Sequence, residues 1–368
     1  MFYCNGIGIA RAANGRTRMI NIAIIGAGIG REHLAALREL PSEFRVVAVV
    51  DQNLERIEEI RFGDTFAALT DISDVLTDPE IDVIDICLPP HLHVSVTLDA
   101  LNLGKHVICE KPLATSLADV DIIVDAAKRN RRHVFPVFQY RWGRSLAQLR
   151  HLVRLGLPGE VQTASLETHW SRAANYYAIP WRGTWAGERG GAVLGHAIHN
   201  HDLLTHIAGE VAAVSAMTTT RVNEIETEDC AAISFSMTSG ALCTSSITLG
   251  AAVDETRIRV VFENLTATSG KAPYAPGVPK WEFKARVPEC QPKIDNAISD
   301  TPFEATGFQG FFNEVGKAIN GVPNCAVTLK EGAASIALVT AIYHAARTGE
   351  RVMLPLLSDH MLYKGWMP

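Results

Sequence analysis

A glycine-rich turn between two short apolar strands constrains the fold of this chain more than any other feature. Residues 20–25 are mostly apolar and rich in isoleucine, which is typical of a strand buried on both faces. A turn with three glycines follows at 26–30, then a helical stretch over 31–40 and a second apolar run over 44–50. A strand, a glycine turn, a helix and a strand within about 30 residues predict one unit of a parallel sheet.

The turn offers the groups that a dinucleotide pyrophosphate binds, which are unblocked backbone N–H groups at a helix N-terminus. Gly26 would allow the tight turn and Gly28 a close approach of backbone to phosphate, so both are candidate cofactor contacts, as are Ile29 and Gly30. The third glycine comes one residue earlier than in G-x-G-x-x-G, and Arg31 stands in its usual place. A tight strand–helix connection without a ligand is the alternative interpretation.

Asp51 ends the second strand, 21 residues beyond Gly30. An acid there can accept hydrogen bonds from the ribose hydroxyls of adenosine and would repel a 2′-phosphate. No arginine follows before Arg56, so the sequence predicts NAD as cofactor and disfavours NADP. Asp51 could instead cap the next helix, although Asn53 is at least as well placed to do so.

The alternation of strands and helices continues to residue 138. Strands are predicted over 82–88, 106–110 and 133–138, and helices over 91–103 and 117–130. Repeated βα units indicate a doubly wound parallel sheet, which binds its ligand at the carboxyl ends of the strands. The further candidate cofactor contacts near these ends are Pro89, His93, Glu110 and Gln139.

Five motifs then occur in a fixed order: GAGIGREH at 26–33, PPHLH at 89–93, GKHVICEKPL at 104–113, GGAVLGHAIHNHD at 190–202 and AIYHAARTGERVMLP at 341–355. With them the chain resembles the glucose–fructose oxidoreductase, inositol dehydrogenase and rhizopine-catabolism family, Gfo/Idh/MocA. The resemblance implies an α/β fold with an N-terminal Rossmann domain and a C-terminal α/β domain that carries a large open antiparallel sheet. It also implies hydride transfer between a pyridine nucleotide and a secondary alcohol or carbonyl of a sugar, polyol or sugar derivative.

Lys111 is the first candidate catalytic residue. It follows the carboxyl end of a predicted strand, and Pro112 restricts its backbone to extended conformations. A partly desolvated lysine there could have a lowered pKa and share a proton with the substrate. The alternative is a surface lysine before a turn.

A helix predicted after residue 191 carries the second candidate, His199, to which the resemblance assigns the acid–base role or contact with the reacting hydroxyl. His196 and Asp202 share one broad face with it and are candidate supporting residues. Many family members carry an aspartate four residues before this histidine, where this chain has Gly195, and His196 or Asp202 could substitute for it. His201 adds to a dense cluster, but without H-E-x-x-H or paired cysteines we expect no metal site.

Residues 171–189 form a predicted loop longer than the usual upper limit of about 12–15 residues, which suggests a function. Tyr176, Trp181 and Arg182 of this loop, with Arg141, are the candidate substrate contacts, since flat rings and N–H donors suit a polyhydroxylated ring. The alternative is that the aromatic residues only attach the loop to the core.

The C-terminal half has strand composition over 160–170, 211–222, 229–237, 241–249 and 256–263 and helical patterns over 145–155, 303–320 and 331–348, with irregular loops and one short strand over 268–302. The last four of these strands, joined by short turns, predict an antiparallel meander. Their small and apolar residues fall on both faces, so we expect a partner subunit to cover one face, in a homodimer or homotetramer.

Composition sets the remaining limits. A length of 368 residues predicts two domains, which we place at 19–141 and 142–368 after a loose or over-extended tail over 1–18. A net charge of −6 argues against a nucleic-acid partner, and no apolar stretch is long enough to span a membrane. Seven scattered cysteines without a C-x-x-C pair are typical of reduced thiols in the cytoplasm.

An NAD-dependent glycoside hydrolase and a non-catalytic NAD-binding protein are the alternative functions.

Overall fold

The computed structural model describes residues 18–368, which form two compact units. The N-terminal unit contains the described residues up to Phe138 together with Phe308–Ala334, and the C-terminal unit contains Gln139–Gly307 and Ser335–Pro368. The sequence-based division after residue 141 assigned 308–334 to the second domain, whereas this segment packs with the N-terminal unit. The predicted tail lies outside the described residues except for Arg18.

The N-terminal unit is built on a six-stranded parallel sheet in the order β3-β2-β1-β4-β5-β6. Its strands are β1 (Ile20–Ile25), β2 (Phe44–Val50), β3 (Ala67–Leu69), β4 (Val83–Ile86), β5 (His106–Cys109) and β6 (Val134–Pro136). The predicted doubly wound sheet is therefore confirmed. The order reverses between β1 and β4, and ligands of such sheets bind at the carboxyl ends of the strands beside this point.

Eleven α-helices occur in the described residues. They are α1 (Ala27–Arg38), α2 (Leu54–Arg61), α3 (Ile72–Thr77), α4 (Pro90–Asn102), α5 (Leu117–Asn130), α6 (Arg144–Arg154), α7 (Trp185–Glu188), α8 (Ile198–Ala208), α9 (Gln291–Ser299), α10 (Gly307–Ile319) and α11 (Leu329–Thr348). None of these helices is long and apolar enough to cross a membrane.

The C-terminal unit is built on an eight-stranded mixed sheet in the order β13-β12-β11-β7-β10-β9-β8-β14. Its strands are β7 (Val161–Ser171), β8 (Val211–Thr219), β9 (Cys230–Met237), β10 (Leu242–Thr248), β11 (Gly250–Phe262), β12 (Leu265–Thr268), β13 (Glu282–Ala285) and β14 (Val352–Met353). The predicted meander is correct for β8, β9 and β10, which pair antiparallel in sequence order. It is wrong at β11, because β7 lies between β10 and β11 and pairs parallel to β10.

Burial alternates along the central strands of this sheet. In β9 and β10 every second residue is buried, and the residues between them are exposed or half-buried. One face of the sheet is thus covered within the unit, while the other carries exposed apolar side chains such as Met217 (71% exposed) and Leu242 (62% exposed).

Two helical segments differ from the sequence-based expectations. The stretch 268–302 was expected to be irregular, but it contains α9, whose Pro292 lies in the first turn, where no backbone N–H is needed. The single α-helix expected after residue 191 begins as a π-helix over Val193–Ala197 and becomes α-helical only from Ile198.

Candidate functional site

The glycine turn at the start of α1 leaves an open cradle at the helix N-terminus. Gly26 has φ of 103°, and a Cβ atom there would lie 2.4 Å from the Cys87 carbonyl oxygen. A Cβ on Gly30 would lie 2.8 Å from Ile24 Cγ2, so these two glycines are required by the protein's own packing. A Cβ on Gly28 would meet no atom of the described chain within 4 Å. The empty space at Gly28 therefore fits a pyrophosphate on the N-terminal N–H groups of α1.

Asp51 is anchored at the edge of this cradle. Its Oδ2 accepts a 2.9 Å hydrogen bond from the Ala27 N–H, the first of α1, and its Oδ1 accepts one from the Asn53 N–H. Asn53, in turn, caps α2 by accepting the Glu55 N–H. Asn53 rather than Asp51 is thus the helix cap, and the Asp51 carboxylate lies where the sequence predicts a ribose contact. Ile29 is exposed on the same turn.

The ends of β4 and β5 bring together Pro89, His93, Glu110 and Lys111. Pro89 precedes α4, and His93 is completely buried with Nδ1 2.7 Å from the Pro112 oxygen and Nε2 2.7 Å from the Leu88 oxygen. Burial lowers the pKa of His93, although the two carbonyl oxygens favour its protonated ring. Both ring nitrogens of His93 are engaged with backbone, so this side chain braces the turn around Lys111, and its predicted contact with the cofactor stays a prediction.

His33, which is absent from the sequence-based predictions, lies beneath this turn. Its ring is completely buried, with Nδ1 2.9 Å from Asp85 Oδ2 and Nε2 3.2 Å from Glu110 Oε1. Glu110 Oε2 accepts the N–H of Lys111 at 3.0 Å. His33 closes the GAGIGREH motif, and this position in the motif is the signal that could have drawn attention to it.

In the C-terminal unit, Arg141 and Asp202 form a buried ion pair. Arg141 Nε donates to Asp202 Oδ2 at 2.7 Å and Nη2 donates to Oδ1 at 2.5 Å. His199, three residues before Asp202, is buried, and its ring stacks on that of Tyr140 with ring centroids 4.6 Å apart. Both Asp202 oxygens are therefore engaged by Arg141, which weakens the expectation that Asp202 replaces the family aspartate. A Cβ on Gly195 would meet no atom of the described chain within 4 Å.

His196 lies in the π-helical turn, whereas His199 lies in the α-helix that follows it. His196 lies edge-on to Trp170, with centroids 5.6 Å apart, and 5.8 Å from the Tyr176 ring. The π-helical turn over Val193–Ala197 departs from the continuous α-helix on which a common face of His196 and His199 was expected, so that common face stays a prediction. His201 donates to or accepts from Ser245 Oγ, and burial lowers the pKa of His201 to about 4, so its ring is neutral.

Glu228 holds the start of this segment and was also missed. Its carboxylate accepts the N–H groups of Gly191 at 3.1 Å and Val193 at 3.0 Å, and the Tyr343 hydroxyl at 2.9 Å. A Cβ on Gly191 would lie 2.0 Å from the Glu228 carbonyl oxygen, which explains the glycine. Burial raises the pKa of Glu228 to about 7, against the hydrogen bonds that favour its ionised form. No spacing rule links Glu228 to residues 191–193, so the sequence alone could not identify it.

The loop over 171–189 is partly ordered by its own rings. The Arg182 guanidinium lies 3.9 Å from the Tyr176 ring centroid and 5.4 Å from that of Trp181. Trp181 is 42% exposed, while Tyr176 is half-buried. Gln139, at the start of the C-terminal unit, has a buried Oε1 without a hydrogen-bond partner among the described residues. The exposed Trp181 ring and the Gln139 Oε1 atom are therefore available to contact a ligand.

Two family models match the chain. The model for an oxidoreductase family with an NAD-binding Rossmann fold matches residues 20–138, and the model for the GFO/IDH/MocA C-terminal domain matches residues 146–268. The chain belongs to the Gfo/Idh/MocA family. The fold that the resemblance implied, a Rossmann domain followed by a domain with a large open sheet, is confirmed for this Gfo/Idh/MocA protein.

Curated relatives of this Gfo/Idh/MocA protein include sugar and polyol dehydrogenases. Levoglucosan dehydrogenase of Pseudarthrobacter phenanthrenivorans is 29% identical over 217 residues, which cover 56% of this chain and 55% of the relative. Myo-inositol 2-dehydrogenase of Thermotoga maritima is 28% identical over 193 residues, covering 52% of this chain and 55% of the relative. The aligned part of the chain thus spans about half the length of these relatives.

A solved structure of the same family extends over nearly the whole chain. The WlbA dehydrogenase of Chromobacterium violaceum, in complex with NADH and UDP-GlcNAcA, is 28% identical, covers 95% of this chain and 99% of its own, and superposes with a TM-score of 0.81. The WlbA dehydrogenase of Bordetella pertussis, with the same ligands, is 27% identical with a TM-score of 0.79, covering 92% of this chain and 100% of its own.

Proposed function

We propose that this protein is an NAD-dependent oxidoreductase that transfers a hydride between nicotinamide and a secondary alcohol or carbonyl of a sugar, polyol or sugar derivative. The observation that carries the proposal is the open cradle at Gly28 with Asp51 anchored at its edge, since this pair fits the pyrophosphate and ribose of NAD. Family membership and the dehydrogenases among the relatives support the same reaction class.

NAD, when bound, supplies the hydride acceptor or donor. The chain must then remove or return the hydroxyl proton, and we assign this work to Lys111 Nζ and the imidazole of His199. Lys111 is half-buried and follows the carboxyl end of β5. The hydrogen bond from its N–H to Glu110 fixes its backbone. His199 is held by the ring of Tyr140, and an imidazole is the side chain most often used for general acid–base catalysis.

We assign the contacts with the substrate to Trp181, Arg182 and Tyr176. Arg141, also a predicted substrate contact, forms an ion pair with Asp202 and is proposed to act on the substrate site through that pair. His196 supports the substrate side through its contacts with Trp170 and Tyr176. The ring clusters of this loop suit a polyhydroxylated substrate because aromatic faces pack on its C–H groups and the guanidinium donates to its oxygens.

The direct test is a spectrophotometric screen at 340 nm of purified protein with NAD and NADP against sugars, inositols, sugar acids and nucleotide sugars. We expect net NADH formation with at least one of them and a preference for NAD. Sugar release without net NADH would instead indicate a glycoside hydrolase. With the substrate found, Lys111→Ala should lower kcat by about 10²–10⁴-fold, the usual contribution of an acid–base group. Unchanged turnover in Lys111→Ala would refute the assignment.

We further propose that the protein is a homodimer or homotetramer in the cytoplasm. The exposed face of the C-terminal sheet supports the oligomer, because Met217, Leu242, Val253 and Met353 are each at least 60% exposed on its strands. The free thiols among the described residues support the location, whereas Cys325 is disulfide-bonded and departs from the expectation of reduced cysteines.

A further inference from the structure

Behind the turn that carries Lys111 lies a buried triad of charged side chains, Asp85, His33 and Glu110. The side chains of His33 and Asp85 are completely inaccessible to solvent, and that of Glu110 is 8% exposed. His33 bridges the two carboxylates, and the second oxygen of Glu110 accepts the Lys111 N–H. Hydrogen bonds therefore connect α1, β4 and the end of β5 to the backbone of Lys111.

The triad has a defined charge. Burial acts to lower the pKa of His33, but the charge and hydrogen-bond contributions of Asp85 and Cys87 outweigh it, and the pKa of His33 stands well above its ordinary value. Burial also raises the pKa of Cys87, whose sulfur lies 3.4 Å from His33 Nδ1, to about 12, so this thiol is neutral. When both carboxylates are ionised, only a protonated His33 can donate to each of them, one from each ring nitrogen.

The surroundings hold the His33 ring in place. The rings of Phe308 and Phe312 on α10 lie 4.6 and 5.4 Å from the His33 ring. Gly30 lets α1 pack against Ile24 of β1, which brings His33 within reach of Asp85. The titratable groups that face His33 are thus Asp85 on β4, Cys87 directly after it and Glu110 after β5, while α10 contributes uncharged rings. His93 on α4, whose pKa burial lowers, is a further titratable neighbour of Lys111.

We propose that His33 is a positioning residue for Lys111, acting through the Glu110 carboxylate that it holds and partly neutralises. This inference rests on the proposed function of Lys111. Without His33, the Glu110 carboxylate would lose one hydrogen-bond donor and the positive charge beside it. Its negative charge would then favour the protonated Lys111 side chain more strongly.

The test compares His33→Gln, Glu110→Gln and the double variant with the wild-type protein in the pH dependence of kcat. Removing the His33 charge should move the midpoint that reports Lys111 upward by about one unit in His33→Gln, since a charge within about 4–6 Å shifts a pKa by about 1–3 units. Glu110→Gln should move it downward. The double variant should return it to within about 0.5 unit, because the two changes in charge cancel.

A matched control is His106→Gln, a change at the opposite end of β5, where His106 stacks on His133. It should leave the kcat midpoint unchanged. A purely structural role of His33 would lower the thermal stability of His33→Gln without moving that midpoint, and this outcome overturns the proposal. If His33→Gln does not fold, the downward shift in Glu110→Gln decides instead, and its absence overturns the proposal.

Nitrogen-15 NMR of histidine-labelled, cofactor-free protein gives a readout that needs no substrate. We expect one imidazole with both nitrogens protonated up to pH 8, and the same signal absent in His33→Gln. A neutral His33 ring at pH 7 refutes the charged triad. No NADH formation with any substrate of the 340 nm screen refutes the proposed function, and full turnover in Lys111→Ala refutes the role of Lys111. An inactive Lys111→Ala with an unmoved midpoint in His33→Gln refutes only the role of His33.

Discussion

The buried carboxyl of Glu228 should make the stability of the C-terminal unit fall as pH rises from about 4.5 to about 7. Burial raises the pKa of Glu228 to about 7, whereas its ordinary value is 4.5. The folded state therefore holds this proton in a range where the unfolded state has released it. The stabilisation is fully present below the unfolded pKa and is lost as pH rises through the folded pKa. At about 1.36 kcal/mol per pKa unit, the loss is at most ~3 kcal/mol.

Glu228→Gln isolates this contribution because an amide does not titrate. The Gly191 and Val193 N–H groups donate to different carboxylate oxygens, so the amide NH₂ must face one of these N–H groups. The lost hydrogen bond should destabilise Glu228→Gln by about 1–3 kcal/mol relative to the wild type with Glu228 protonated, and the variant has no pH-dependent contribution from this site. The difference in free energy of unfolding between wild type and Glu228→Gln should therefore shrink as pH rises.

Urea unfolding followed by tryptophan fluorescence measures this difference. All six tryptophans belong to the C-terminal unit, so the signal reports that unit. Glu224→Gln, an exposed carboxyl on the same loop, is the control and should give a curve parallel to the wild type. Parallel curves for wild type and Glu228→Gln between pH 4.5 and 7.5 would refute the reasoning.

Two further predictions concern the cofactor and the assembly. Asp51→Ala removes the acceptor of the Ala27 N–H and the proposed ribose contact, so NADH affinity should fall by about tenfold or more, since a hydrogen bond to a charged group contributes about 1.5–3 kcal/mol. Fluorescence titration with NADH and NADPH checks this, and an unchanged preference for NADH would contradict it. Light scattering at micromolar concentration should give the mass of a dimer or tetramer, and Leu242→Asp on the exposed sheet face should lower it; a monomeric wild type would rule out the oligomer.

The sequence predicted most of the N-terminal unit because its signals are local. The helix expected over 117–130 matches α5, since Ser116 caps it through the Asp119 N–H and its buried residues follow the helical period. The glycine turn and Asp51 were recognised for the same reason, as strand, turn and acid follow one another directly.

The remaining features depend on contacts between distant parts of the chain. The parallel pairing of β7 with β10 joins residues about 80 positions apart, and no turn signal encodes it. The π-helical turn over Val193–Ala197 is held by Glu228, and the charge of His33 depends on Asp85 and Glu110. Periodicity describes one element at a time, so it could not identify these three arrangements.

The N-terminal unit is discontinuous in the chain, and this has a consequence for its biosynthesis. The rings that enclose His33 come from α10, which a ribosome produces only after the whole C-terminal sheet except β14. A nascent chain that ends at Phe138 has all six parallel strands but lacks Phe308 and Phe312, so the Asp85–His33 pair is still open to water. Because domains fold largely as units during synthesis, the nucleotide-binding half reaches its final packing only near the end of translation. Excising residues 19–138 as a stand-alone binding module would therefore remove part of its own core.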